Sequence, residues 1–210
     1  MQELSSLDGF PFYFKDLLKN QEGVIWFHPH IECSSQTDVE EMTRVDISTR
    51  KRALITWEFL KKYVPGFEKS FIMLTAPQLG TTGGRRVVGE YMLTEKDMNR
   101  NEPFTDTIAV FADNDRGELS LKHPEMYIPY RCLVPLKVEG LLVACRAFSS
   151  NDKVNNLFNL IPHCICFGQA AGTAAALAIK DGVSVRKVNY GDLRASLLKQ
   201  GVILPGVKVA

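Results

Sequence analysis

A CxxC pair, a signal-like leader, a basic excess and a long apolar run are all missing from this chain, and each absence removes a class of protein. The five cysteines (Cys33, Cys132, Cys145, Cys164 and Cys166) are odd in number and widely spaced, with no CxxC. Reduced thiols in a cytoplasmic protein are therefore the simplest reading. A formal net charge of +1 argues against a dedicated nucleic-acid surface, because phosphate binders carry a clear basic excess. The opening MQELSSLDGF has no basic segment followed by an apolar one, so it does not read as a signal peptide. The longest apolar candidate, residues 165–179, is short for a bilayer and contains Gln169, so no membrane span is expected. There is no GxSxG elbow to support a Ser-His-Asp hydrolase, and no internal repeat, low-complexity tract or obvious linker.

What remains is ordinary in bulk. With 210 residues, 45% hydrophobic and 23% charged, the chain can bury one generous core or two small ones. GVIWFHPHIE (23–32) reads as a strand until Pro29 interrupts it. A long helix follows, with Ser35, Thr37 or Asp38 as its cap and Glu40 and Glu41 in its first turn. Val39, Met42, Val45, Leu54, Trp57, Leu60 and Val64 keep helical spacing, and Pro65-Gly66 ends it. Strand-like segments come next: 70–80, 85–93 and 107–113, with a polar and partly helical connection over 94–104. The run 126–135 holds two prolines and suits an edge or connecting path. In 138–150, the apolar Leu141 to Cys145 looks like a strand buried on both faces. An alanine-rich helix stops at Gly182, and residues 192–200 make a final short helix.

Two stretches carry most of the chemical information: LLVACR (141–146) and FGQAAGTAAALA (167–178). A buried strand ending in a small residue beside a helix that opens on small residues lets backbone approach a ligand closely. The exposed amides and positive dipole end of such a helix favour an electron-rich or anionic group. An alanine-lined helix packed closely on a sheet, with no ligand, explains the same composition equally well. Other candidates are weaker. His28-Pro29-His30 with Cys33 could ligate a metal, but no second cluster completes a four-ligand site. Asp113-Asn114-Asp115 begins like a calcium loop, yet Glu118 and Pro124 stand where glycine and glutamate are needed. Cys164 and Cys166, near a helix start, could be redox active, although buried structural thiols are commoner.

Several blocks, in order, resemble the carboxy-terminal part of the FAD-dependent oxidoreductases of the glutathione-reductase-like and succinate-dehydrogenase-like flavoprotein superfamily. They are VPGFEKSFIMLTAPQLG (64–80), GRRVVGEYMLTEKDM (84–98), YIPYRCLVPLKVEGLLVACR (127–146) and HCICFGQAAGTAAALAIKDGVSVRKV (163–188). The resemblance implies an α/β fold: a substrate-side mixed sheet with a long helix over 1–125, and over 126–210 the later part of a Rossmann-like FAD domain. It implies that LLVACR runs up to the cofactor. Cys145 would then abut FAD where the family usually has glycine, with Arg146 and Ser149 near its phosphate or ribityl part. Gly168, Gln169, Ala170, Ala171 and Gly172 would form a helix end facing the ribityl chain and the pyrimidine edge of the flavin, where the dipole stabilises charge on reduction. Arg85, Arg86, Tyr130 and Arg131 would lie between the FAD domain and a small-molecule substrate, where an arginine can grip an anion bidentately.

The family's opening strand, GxGxxG turn and helix have no counterpart here, and the run from Gly80 to Gly84 has the wrong spacing. The family's Glu-Ser pair before the two arginines is replaced by Gly83-Gly84, and one further family arginine falls near Asn159. The chain is thus expected to be a fragment or split subunit, completed by a separate chain that supplies the dinucleotide-binding segment. Hydride transfer between an organic substrate and the flavin is the implied reaction. A non-catalytic, partner-completed homologue and a metal- or ligand-binding module around the histidines are the alternatives.

Overall fold

Residues 17–29, 31–81, 83–100, 102–111, 125–158 and 160–206 are described by a computed structural model. They fall into two units, Met1–Thr81 and Thr82–Ala210. His30, Asn159 and the Asp113 turn lie outside the described residues.

The first unit contains a hairpin and a long helix. Strand β1 (Leu17–Gln21) pairs antiparallel with β2 (Val24–Phe27), with Leu17 opposite Phe27 and an irregularity between Lys19 and Gln21. Gly23 turns the chain at φ +74°, a backbone region that disfavours a side chain. Helix α1 (Val39–Tyr63) begins where capping chemistry allows: the Asp38 carboxylate accepts from the Glu41 amide at 2.8 Å. Glu40 and Glu41 in the first turn and Lys61 and Lys62 in the last oppose the helix dipole. Glu41 also accepts from Arg44 Nε and from the amide and hydroxyl of Ser34. Led by the Arg44 bond, these contacts draw its carboxyl down to about 2. The expected strand over 70–80 is not formed: the segment is irregular, with Phe71, Met73 and Leu74 exposed. Apolar side chains alone do not make a strand when no neighbouring strand takes up the backbone groups.

The second unit is built around helix α4 (Ile161–Asp181). Its earlier elements are α2 (Glu95–Met98), β3 (Thr107–Phe111), β4 (Met126–Pro129) and α3 (Asp152–Phe158). After these come α4 (Ile161–Asp181) and α5 (Tyr190–Lys199). β3 and β4 are antiparallel partners, with Phe111 opposite Met126 and Thr107 opposite Pro129. Their pairing spans the division at residue 125 suggested by the sequence. The core gathers Ile108, Ile128, Leu133, Phe148, Phe158, Phe167, Leu193 and Leu197, all nearly inaccessible. Fully burying a side chain such as Phe167 contributes about 2 kcal/mol. The fold is mixed α/β: helices with two small antiparallel sheets.

Two expectations about this unit are corrected. The alanine-rich helix does not open near Cys166. It starts at Ile161, with Leu160 as its cap and Pro162 in the first turn, a position that needs no amide donor. It stops as expected at Gly182, which adopts the left-handed conformation at φ +64°. Residues 168–172 thus lie inside the helix with their amides in its ladder, so the dipole end is not theirs. Residues 141–146 do not form a buried strand: the path is irregular, Leu141 and Cys145 are exposed, and the residues between are half-buried. Of their backbone amides, Val143 is held, by the Leu133 carbonyl at 2.8 Å. An inner strand needs partners on both edges, and the described residues supply one such bond.

Helix α4 is 21 residues long and apolar enough, by length and composition, to cross a membrane. Its inner face nevertheless belongs to a globular core: His163, Phe167, Ala170, Ala171, Ala174 and Ala178 are buried at helical spacing. The alanines let α5 and β3 come close. Its outer face carries Ile161, Ile165, Gly168, Gly172 and Ile179, all exposed.

Candidate functional site

The expected cofactor residues divide sharply by orientation. Ala170 and Ala171 face the core. Gln169 donates to Gln200 Oε1 at 3.0 Å, and Gln200 in turn donates to Thr173 Oγ1, so this amide ties α4 to the end of α5. Gly168 and Gly172 look outward, and a Cβ added at either would meet nothing within 4 Å. The stripe they share with Ile161 and Ile165 is an open apolar surface on which a flat ring can lie without a side chain in the way.

The turn over 145–147 lies against the start of that helix. Cys145 and Arg146 are exposed on it, and the Ala147 amide reaches Cys145 Sγ at 3.4 Å. The Cys164 thiol is pushed up chiefly by burial. The neighbouring Cys145 adds to that rise, and a bond from the Arg146 amide opposes it. Cys164 stands one turn before Gly168, so the turn, the helix start and the glycine face are contiguous. From the other side, the Val87 amide donates to the Ala147 carbonyl at 2.9 Å. That bond ties the residue after Arg86 to the residue after Arg146. Arg85 is exposed, while Arg86 pairs with Asp152 at the start of α3.

The structure does not bring the remaining candidates to this surface. Ser149 is fully buried, and its hydroxyl accepts from the Gly89 amide at 3.0 Å. Tyr130 is buried and donates to the Val185 carbonyl at 2.8 Å; burial, with Glu90 nearby, raises its phenol well above the usual range. Arg131 forks onto Asp106 through Nε at 2.9 Å and Nη2 at 3.1 Å, with its guanidinium 5.2 Å from the Tyr91 ring centre. Tyr130 and Arg131 thus brace the second unit from within. Sequence reading missed Asp106, Asp152 and Asn155, which hold these cations and the turn; acidic and amide residues in polar stretches give no signal before their partners are known.

Outside this surface, a shallow cleft of about 370 Å³ in the first unit is lined by Gln36, Asp38, Met42, Asp46 and Leu79 among others. Its carboxylates are already occupied, Asp38 as a helix cap and Asp46 with Arg50. His28 is exposed and edge-on to Trp26 at 4.6 Å. Among the described residues no cluster of three metal-ligating side chains forms.

The second unit therefore defines an α/β protein with an open glycine-bearing helix face flanked by a cationic turn, suited to a planar, anionic ligand. The sequence model of the family described as FAD dependent oxidoreductase matches residues 3–197. The chain belongs to that family, and the family binds FAD. Neither the curated proteins nor the solved structures contain a match to the chain. The open space over Gly168 and Gly172 has room for the flavin end of such a cofactor. Among the described residues there is no glycine-rich turn opening a helix to cradle a pyrophosphate.

Proposed function

We propose that the second unit forms the flavin-facing wall of an enzyme that moves hydride between an organic substrate and FAD. The observation that carries this reading is the open, glycine-bearing face of α4 next to the turn that carries Arg146, with the Arg85-Arg86 segment tied to that turn through the bond from Val87 to Ala147. FAD, when bound, supplies the two-electron chemistry. The chain's residues do the binding: Gly168 and Gly172 leave room for the ring and ribityl chain, Ile165 covers apolar edge, and Arg146 meets phosphate or ribityl oxygens. Exposed Cys145 borders the same turn. Arg85 is available to hold an anionic substrate, while Arg86 is anchored by Asp152 and sets the direction of the segment. We assign this unit to the later part of a Rossmann-like domain, with the pyrophosphate held by a partner chain that carries the strand–GxGxxG–helix.

Among the described residues no backbone group bonds Leu141 or Leu142, and this segment with the exposed Ile161, Ile165 and Ile179 supports a partner-completed reading. A strand donated along that segment would satisfy the backbone groups.

The test is an FAD titration followed by quenching of flavin fluorescence, with wild type beside Gly168→Val. Wild type is expected to take up FAD. The variant should weaken binding by about tenfold, because branched bulk enters the open face, while the fold stays intact. Equal affinity in the two proteins would remove Gly168 from the site. No uptake by wild type, with or without a GxGxxG-bearing partner, would overturn the reading itself.

A further inference from the structure

Asn155 is out of place by burial alone. It sits on α3 with 1% of its surface exposed, among residues such as Val154 and Phe158 that pack the core. A buried carboxamide is costly unless its hydrogen bonds are made, and a leucine would fill such a position without that cost. Its Nδ2 donates to the Arg146 carbonyl at 2.7 Å and reaches Ser150 Oγ at 3.4 Å. One amide group therefore clips together both ends of the turn that carries Arg146.

The segment around that turn is fastened by backbone bonds. Ser149 donates to the Cys132 carbonyl and accepts from Leu93, and Asn151 donates to Leu93. Ala147 accepts from Val87. Arg146 is exposed, and the Asn155 bond fixes the peptide plane that follows its Cα. Asn155 is in turn fixed from its own backbone, its amide bonding the Asn151 carbonyl at 2.9 Å.

We infer that Asn155 is a positioning residue for the cofactor: it acts through the Arg146 peptide to aim the turn at the open face of α4. This rests on the reading above that the turn faces FAD. A loop group held in place before the ligand arrives spares the ligand the entropy of ordering it. Loosening it should therefore weaken binding more than an equal loss of global stability does.

The experiment compares wild type, Asn155→Asp, Asn155→Ala and Val154→Ala. Asn155→Asp keeps the shape and removes the donor. Val154→Ala truncates a fully buried neighbour on the same helix without touching the turn. Each protein is read by thermal melting, by amide hydrogen exchange over residues 143–149, and by FAD titration. Asn155→Asp is expected to speed exchange in the turn and to weaken FAD binding by about tenfold, the worth of one buried hydrogen bond. Val154→Ala should lower the melting temperature while leaving turn exchange and affinity near wild type. Asn155→Ala, which leaves space for water to serve the carbonyl, should weaken binding by about threefold; it carries the comparison if the aspartate variant does not fold. FAD affinity equal to that of Val154→Ala in the folded Asn155 variants overturns the inference. Failure of wild type to take up FAD, with or without a GxGxxG-bearing partner, is seen before any variant is made, and it overturns the functional reading and the inference together.

Discussion

Replacing Gly89 by alanine would put a methyl group where the second unit has no room for one. A Cβ at this position falls 2.7 Å from Ser149 Cβ and 3.1 Å from the Arg131 carbonyl. Both neighbours are parts of a packed core, and Ser149 is fully buried and accepts from the Gly89 amide at 3.0 Å. The glycine's φ lies outside the left-handed region, so the effect is steric and not conformational. Overpacking of this kind costs about 2 kcal/mol, and the reduced freedom of the unfolded chain returns about 0.5 kcal/mol. The net loss of roughly 1.5 kcal/mol corresponds to about 5 °C in Tm for a unit of this size. The assay is urea unfolding of wild type, Gly89→Ala, Ser149→Gly and the double variant. Ser149→Gly alone loses the hydrogen bond, about 1.5 kcal/mol, but it also removes the atom that the new methyl strikes. The double variant should therefore be more stable than the sum of the singles by about 1 kcal/mol, with the Arg131 carbonyl keeping the relief partial. A Gly89→Ala variant within about 0.5 kcal/mol of wild type, or strictly additive singles, would refute the packing described here.

Two further outcomes follow from the same unit. Tyr91 is pushed up to about 12, first by burial and then by the bond it donates to Asp97 at 2.6 Å. Its folded value exceeds the unfolded value of 10.0. The stability it contributes is thus complete below pH 10 and is lost as pH rises toward 12. Melting curves across that window should fall less steeply with pH in Tyr91→Phe than in wild type, and equal slopes would deny the shift. Arg131→Lys loses the fork onto Asp106; because the side chain is 42% exposed, the cost is held to about 1 kcal/mol. FAD affinity should stay unchanged in that variant, and a marked loss would return Arg131 to the ligand site.

Helix ends were the most legible part of the sequence because they are decided locally. Gly182 stands where capping chemistry alone put it, and Asp38 is one of the three caps that chemistry offered; each needs only its own next few residues. Strands were the least legible. The runs over 70–80 and 138–150 have the apolar composition of strands, but a strand exists only when another backbone pairs with it. Among the described residues, β1 with β2 and β3 with β4 are the pairs that form. The resemblance identified the cofactor correctly, since the family whose model matches residues 3–197 binds FAD.

The alanine-rich stretch shows why site residues resist sequence reading even when the element is right. In the sequence the small residues form one feature that suits either clearance for a ligand or close packing on a sheet, and the structure separates them into two sets. Alanines at 170, 171, 174 and 178 face inward and set the distance to the core, while Gly168 and Gly172 face outward over open space. The separation is a matter of helical phase. A shift of the helix start from about Cys166 to Ile161 changes which residues hold the free amides, but it leaves the phase fixed by Phe167 in the core. Once Phe167 points inward, Gly168 is turned about 100° away and Gly172 follows it one turn later. Ala170 and Ala171 then return to the core. Of the five residues, the two glycines therefore face open space, and the positive end of the helix moves to residues 161–164, beside Cys145 and Arg146. Charge and clearance, assigned by the sequence to one place, fall at adjacent places along the same helix: the free amides at its start and the open glycine face along its side.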